Sequence, residues 1–552
     1  MKGRHCRSRG VPTSKAAEVV RQRRARGRLD AHPPGHGGGR TPSGTGLHPV
    51  RGTAGVRHPR RTKATRSGRY ARTLGGISLL ILGASCGRTP TTASRPNVLL
   101  VTFDTMRADF LGCYGSTVTK TPTLDDLASR AVVFERAFAT APFTPPSLWS
   151  VLHAEQVRGH TYQTRIQDHY GKRGSIAGRF REAGYLTVGV MANSNANAAN
   201  GFADGFDEYL DTWSELSFNN ETTLARVLSL RPRFAGARRR SRPFFLFVHF
   251  FDPHGPWGDA PAPFRIYPPE DGPFARVVDD EHVFDRASDF QIARVDEAVR
   301  TYSGERDISE LKRSGRYGKL IVPMYRSEIT WSDDVLRRLL HDFRGEGLLD
   351  NTVVAVSSDH GTSFGEHYQT VGYVFPLFNE ALRVPLLIAG PQVRPGRVTQ
   401  AVSLLDLGPT LLDLAGIARE HAEGVSFRGF IDGDGQDRPV YAEATAMPPD
   451  LEYLIFRDER SRFSPGVENR HAALVFGQYK MIHMPARRGK KFELFDLLAD
   501  PLEKTDLFRP DDPAHRNLAL QLLERRRTGG TAGIEEFDPA TEERLRALGY
   551  VR

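Results

Sequence analysis

The chain has 552 residues, 39% of them hydrophobic and 26% charged, which is enough apolar material for a large core and more than one structural unit. Three cysteines exclude a disulfide-built scaffold. The formal charge is +11, but residues 1–72 carry 19 Lys and Arg against two acids, Glu18 and Asp30; that +17 leaves −6 for the remainder, so the folded body is mildly acidic and its charge gives no reason to expect nucleic-acid binding.

In chain order, residues 1–70 are rich in Arg, Gly, Pro and Ser and almost without aliphatic periodicity. They cannot bury enough apolar surface to fold, and read as a disordered basic extension. It is either a nucleic-acid-binding arm or the product of a start assigned upstream of the true one. The adjoining segment favours the second reading. Arg69-Tyr70-Ala71-Arg72 precedes the apolar run Leu74–Leu82, which exits through Gly83-Ala84-Ser85-Cys86. A basic flank, a short apolar stretch and a small-residue exit are the layout of a secretory signal over residues 71–86. The run is too short to span a bilayer. No Met lies between Met1 and Met106, so a later start would use a non-Met codon at a position such as Val50 or Val56.

Cys86 with the residues before it resembles a bacterial lipobox, although the usual Leu three residues before the Cys is Gly83 here. The expectation is export to the bacterial periplasm or cell envelope, with membrane attachment through a lipidated Cys86; soluble secretion is the alternative. If Cys6 is removed and Cys86 acylated, Cys113 has no partner, so export implies no disulfide framework.

Residues 87–95 are a polar tether. Alternating strands and helices then predict an α/β domain over 96–420. Strands are expected at Asn97–Phe103, Thr187–Met191, Phe244–Phe250, Thr352–Val356 and Val384–Ile388. Helices are expected at Thr123–Val132 with Thr123 as N-cap, at Ser147–Leu152 behind Pro145-Pro146, at Tyr325–Phe343, and at Leu404–Ala415 ended by Gly416. Arg231–Arg242 and Tyr302–Arg316 read as polar loops. From 421 to 552 the pattern changes to short strands, Val440–Ala442, Ala472–Phe476, Tyr479–His483 and Phe492–Phe495, with a hairpin at Gly477-Gln478. These predict a smaller antiparallel α+β subdomain packed on a large, mostly parallel sheet.

Two strands end in acids. Asn97–Phe103 is followed by Asp104, and Thr352–Val356 runs through Ser357-Ser358 into Asp359-His360-Gly361. The C-terminal ends of strands are where open α/β sheets place ligands, and Asp with His is a good donor pair for a divalent metal. Either acid alone reads as a turn residue; two such ends in one chain point to a metal site.

Four stretches together resemble the sulfatase family of the alkaline phosphatase superfamily: Pro96–Asp109 with Leu111–Gly115; Phe245–His254, ending Asp252-Pro253-His254; Ser358–Gly361 with Gly365-Glu366-His367; and Leu382–Leu386 with Asp406–Asp413. Phe492–Asp496 with Asp500-Pro501, and the closing Leu545–Tyr550, extend the likeness over residues 96–552. The resemblance implies an alkaline phosphatase-like sheet, a metal held by Asp104, Asp359 and His360, and His254 contacting the transferred group or protonating the leaving oxygen. His249, inside an apolar strand, reads as a hydrogen-bonded core residue.

The departures bear on chemistry. Family members carry Cys or Ser, oxidised to formylglycine, at the head of a C/S-x-P-S-R motif. Here the segment is Thr144-Pro145-Pro146-Ser147-Leu148. The usual G-K-W-H-L-G segment is replaced by Gly189–Ser194, a late basic residue is missing at Gly372–Phe375, and Thr105 stands at the second acid of the metal pair. A hydrated aldehyde expels sulfate with its second hydroxyl; Thr144 has only one, so a threonyl adduct must be cleared by water or another acceptor. Relatives with a Thr nucleophile couple it to a metal, and Asp104, Thr144, Asp359 and His360 reproduce their ligand types around one cation. The family implies Ca or Mg; the Thr-type set suggests Zn or Mn. The expectation is an exported sulfatase-like hydrolase of sulfate or phosphate-type esters, acting on a small-molecule or glycan ester. The alternatives are a phosphoethanolamine-type transferase of the same fold, and an inactive relative that binds an anionic glycan.

Overall fold

The computed structural model describes residues 95–158, 174–211, 219–255, 257–272, 289–305, 307–367, 371–372, 377–418, 422–444, 470–485 and 490–528. The expected extension, the signal segment with Cys86, all but the last residue of the tether, most of Gly372–Phe375 and the closing Leu545–Tyr550 lie outside these residues. Among the described residues no helix is long and apolar enough to cross a membrane.

The main sheet has nine strands. In chain order they are β1 (Asn97–Phe103), β2 (Val132–Phe138), β3 (Leu186–Met191), β4 (Glu208–Asp211), β5 (Phe244–Phe250), β6 (Thr352–Ser358) and, after a separate two-stranded hairpin β7 (Ser363–Phe364) and β8 (Val371–Gly372), β9 (Arg383–Val384), β10 (Leu386–Ala389) and β11 (Gly396–Ser403). Their order is β11-β2-β10-β6-β1-β5-β3-β4, with β9 beside β2. Pairing is parallel except where β9 and β10 run against their neighbours. This is the mixed, mostly parallel sheet expected.

Strand β1 shows why the centre forms. All but its first residue are buried. Val98 and Leu100 enter one core cluster, Leu99, Val101 and Phe103 the other. A strand covered on both faces by helices needs an unbroken apolar run, not an alternating one.

The helices used below are α1 (Pro122–Ser129), α2 (Thr144–His153), α3 (Arg231–Arg239), α4 (Ile308–Arg313), α5 (Gly318–Gly345), α6 (Leu407–Leu414) and α7 (Pro513–Thr528). Several depart from expectation. Helix α1 starts at Pro122 and stops at Ser129, because Val132 opens strand β2. Thr123 does not cap it. The carboxylate of Asp333 on α5 accepts the Thr123 and Leu124 N–H groups at 2.9 and 2.8 Å, so a side chain from another helix does the capping. Strands β2, β4 and β11 lie outside those expected, and Val384–Ile388 is split at Pro385, which has no N–H for the ladder.

Helix α5 begins at Gly318, upstream of Tyr325, and contains Pro323 six residues in; the bond its missing N–H would make is replaced, the Lys319 carbonyl accepting instead from the Glu270 N–H at 2.9 Å. The two stretches read as loops contain α3, which buries Phe234 and Ala237, and α4, capped by Asp307, whose side chain accepts the Ser309 N–H at 2.9 Å.

Four antiparallel strands, β12 (Val440–Glu443), β13 (Ala472–Phe476), β14 (Tyr479–His483) and β15 (Phe492–Asp496), form the second sheet in sequential order. Gly477, at φ +57°, turns the hairpin that leads Phe476 into Tyr479. One face, with Val440, Val475, Ile482 and Phe495, joins the same core cluster as Val98 of the main sheet. The other, with Leu474, Met481 and Leu494, is covered by Ala519 and Leu522 of α7.

Asp333 is pushed up to about 6, chiefly by burial, against the hydrogen bonds from Thr123 and Leu124. The folded chain thus binds this proton more tightly than the unfolded chain, so the group's contribution to stability falls as pH rises from 3.8 to about 6. Urea denaturation of Asp333→Asn is expected to lack this component, while Asp333→Ala, which strands two helix-start N–H groups, loses about 1–3 kcal/mol.

Candidate active site

Strand register brings the acids together. Phe103 of β1 lies level with Ser358 of β6 and Phe250 of β5. Asp104 and Asp359 therefore leave adjacent strands at one level, and their backbones extend the ladder: Asp104 N–H donates to Phe250 O at 2.9 Å and Asp359 N–H to Phe103 O at 3.2 Å. Both acids are fully buried.

Thr144 comes from the start of α2, which is buried along its whole length. Its Oγ1 donates toward Asp104 Oδ2 at 3.4 Å and lies 3.3 Å from His360 Nε2. His360 Nε2 is also 3.5 Å from Asp359 Oδ2 and 3.9 Å from Asp104 Oδ1. The four sequence-derived positions thus converge. His360 Nδ1 meets Gly361 O at 2.8 Å. A carbonyl only accepts, so in the neutral ring the proton sits on Nδ1 and the Nε2 lone pair faces Thr144 and the acids.

His254 is half-buried, its Nδ1 2.6 Å from Gly255 O, and its ring packs on Phe251 with centroids 4.6 Å apart. It lies close enough to act electrostatically on Asp104. Burial alone would raise Asp104; His254, His249 and His360 outweigh it and hold this carboxyl at about 2. Asp359 is driven up by burial and then by the charge of Asp104. Two carboxylates in one dry site cannot both ionise without a neutralising charge.

His249 needs correction. It is fully buried and hydrogen-bonded, Nδ1 to Thr102 Oγ1 at 2.8 Å, as a core residue would be. Its Nε2, however, points into the site, 3.5 Å from Asp104 Oδ2. Ligand atoms of Asp104, His249 and Asp359 all lie within 4.8 Å of one another. Asp104 Oδ1, Asp359 Oδ2 and His249 Nε2 are buried with no hydrogen-bond partner. Orphaned acceptors around a like-charge pair are what a divalent cation satisfies, so these residues, with His360, fit one.

Asn193 is a further site residue that no motif marks. It follows β3, and its Nδ2 donates to Asp104 Oδ2 at 2.7 Å and toward Thr144 Oγ1 at 3.4 Å. Its signals are its place, two residues after a strand two positions from β1 in the sheet, and its lying in Gly189–Ser194, the stretch that replaces the family's G-K-W-H-L-G. Thr105 adopts φ +58°, donates its N–H to Asp359 Oδ1 at 3.1 Å, and keeps its hydroxyl without a hydrogen-bond partner. Leu148, at the motif arginine position, is fully buried in the core.

Helix α2 begins at Thr144 itself, so Thr144 is not the residue that caps it. Pro145 and Pro146 have no N–H, and Ser147 N–H already donates to Phe143 O at 3.2 Å. The helix end therefore offers an anion the Thr144 N–H and the dipole, not the usual row of donors.

The remaining motif residues are scaffold. Arg107 is buried and pairs with both Asp109 oxygens, at 3.0 and 2.8 Å, and with Glu366 at 2.5 Å, while donating to Thr362 O at 3.0 Å. His367 Nδ1 meets Glu380 Oε1 at 2.7 Å. Gly361 is forced: a Cβ there would lie 2.1 Å from Glu380 O. Gly361→Ala is expected to displace His360 and cost about 1–3 kcal/mol; thermal unfolding read beside metal content checks this, and wild-type values for both would refute the assignment.

The profile of the sulfatase family matches residues 96–417, and one described as N-sulphoglucosamine sulphohydrolase, C-terminal, matches residues 375–528. An N-acetylglucosamine-6-O-sulfatase from Bacteroides thetaiotaomicron is 23% identical, the match covering 81% of this chain and 89% of its own. A choline-sulfatase from Rhizobium meliloti is 25% identical over 82% of this chain and 90% of its own. The solved phosphonate monoester hydrolase of Agrobacterium radiobacter shares the fold, with a TM-score of 0.55 at 21% identity, covering 78% of this chain and 94% of that one.

Proposed function

The chain belongs to the sulfatase family of ester hydrolases, and from that premise we propose that it is an exported, metal-dependent hydrolase whose nucleophile is Thr144. The observation that carries this reading is the position of Thr144 Oγ1, 3.4 Å from Asp104 Oδ2 and 3.3 Å from His360 Nε2, beside three orphaned ligand atoms.

Asp104, His249, Asp359 and His360 would hold one divalent cation, which supplies positive charge that lowers the pKa of the Thr144 hydroxyl and stabilises charge on the reacting centre. Two imidazoles with two carboxylates suit Zn or Mn better than Ca, which takes six to eight oxygens.

Thr144 Oγ1 attacks sulfur or phosphorus, and the bond to the ester oxygen breaks. With the Nε2 lone pair of His360 committed to the cation, Asp104 Oδ2, 3.4 Å from Oγ1, is the acceptor that the hydroxyl proton faces. Asn193, donating to Asp104 Oδ2, fixes that carboxylate. His254, its Nδ1–H held by Gly255 O, gives a proton carried on Nε2 to the leaving oxygen and takes one back from the water that cleaves the threonyl ester, while Asp104 returns its proton to Oγ1. Water then cleaves the threonyl ester and restores the hydroxyl. A single hydroxyl favours phosphorus over sulfur as the centre cleared this way. The likeness to an N-acetylglucosamine-6-O-sulfatase and a choline-sulfatase supports a small-molecule or glycan ester as the substrate class. Export, and membrane attachment at Cys86, rest on the signal-like residues 71–86.

Turnover of aryl sulfate, phosphate monoester, phosphodiester and phosphonate monoester substrates, with Zn, Mn, Mg or Ca added, tests the reading. Thr144→Ala is expected to lose at least about a thousandfold of the activity, and Thr144→Ser to keep part of it. An adduct trapped on Thr144 without hydrolysis would point to group transfer instead. No turnover, with no bound metal, would leave a binding module.

Elemental analysis should find one equivalent of metal per chain. Asp359→Asn and His249→Ala should each lower its affinity about 10–100-fold. Unchanged metal content in both would remove the ligand assignment.

A further inference from the structure

Where α2 ends, a cavity of about 230 Å³ opens between the main sheet and the C-terminal sheet. Helix α2 has ten residues, so this cavity lies about 15 Å along its axis from Thr144. It is lined by Gln156, Arg158, Asp406, Glu423, Arg438 and Arg525, among others.

The charges do not balance. Arg158 pairs with Glu423, and Arg438 with Asp406 at 3.2 Å. Arg525, half-buried in the last turn of α7, has no hydrogen bond or ion pair among the described residues. Burial, then the nearby Arg158, pushes its pKa below the usual guanidinium value. A cation in a last helical turn is favoured by the helix dipole, but that does not account for a guanidinium lining a cavity beside two others. Gln156 supplies a second observation. It is 2% exposed, and its side-chain Nε2 is buried with no hydrogen-bond partner. A surplus guanidinium and an unmet amide donor therefore line the same cavity, where one acceptor-only group would satisfy both.

We propose that this cavity is a non-catalytic binding site for an oxyanion: a sulfate, a phosphate or the carboxylate of a small acid. It does not depend on the chemistry at Thr144 and would persist in Thr144→Ala.

The test uses the full chain. Crystals soaked in sodium selenate locate the anion by selenium anomalous scattering, and calorimetric titration with sodium sulfate gives its affinity in the Thr144→Ala background. The expected result is selenate within hydrogen-bond distance of Arg525 and Gln156. Sulfate affinity should fall at least tenfold in Arg525→Gln and also fall in Gln156→Leu, while Arg525→Gln on the native Thr144 chain keeps its ester turnover. Phosphate and acetate titrated in the same way separate tetrahedral from carboxylate preference. No selenium density in the cavity, or sulfate affinity unchanged in both variants, overturns the proposal.

Discussion

The molecule is organised around a conflict of like charges. Asp104 and Asp359 leave neighbouring parallel strands at the same level and are both fully buried. Burial opposes ionisation of each, and the charge on Asp104 opposes that of Asp359. Three imidazoles act on Asp104, and backbone N–H groups of Thr105 and His360 donate to Asp359 Oδ1 at 3.1 and 2.8 Å. A fold built only for stability would place apolar residues here. The site instead retains charge that a bound cation can offset, and the surrounding architecture is what keeps those groups from relaxing apart.

That architecture has a structural logic of its own. Buried Arg107 pairs with exposed Asp109 and half-buried Glu366, tying the loop after β1 to the hairpin after β6. Gly361 lets the Glu380 carbonyl come against the backbone beside His360. On the far side, Lys480 of the second sheet is buried against Glu503 at 2.8 Å, and His367 bridges Glu380 to the Glu503 carbonyl. Polar contacts thus run from the acid pair to the C-terminal sheet, and each member has a partner within reach.

Much of this was legible in the sequence. Apolar runs such as Val98–Val101 and Val353–Val356 read as buried strands, and the acids that follow these two strands lie together in the candidate site. Asp104, Thr144, Asp359 and His360, singled out by strand ends and family resemblance, lie together in the fold. What the sequence hid were relations set by register and by distant side chains. His249 looks like a core residue because it is one on the Thr102 side; only the pairing of Thr102 with His249 across β1 and β5 shows where its second nitrogen points. Asn193 sits in Gly189–Ser194, where the family's usual motif is replaced, so no matching residue type marks it. Helix α1 is capped from Asp333, more than two hundred residues away, which no local signal can reveal. The helices in the Arg-rich stretches escape a sequence reading because their buried faces are only one or two residues wide.

The core cluster that holds Val98 on the first strand also holds Phe495 on the last. Synthesis from the N-terminus must therefore deliver nearly the whole chain before that surface can close, since the cover over one side of the main sheet emerges last from the ribosome. Until then this cluster has no complete interior, so the closing of that side of the main sheet waits on strands more than three hundred residues after β1.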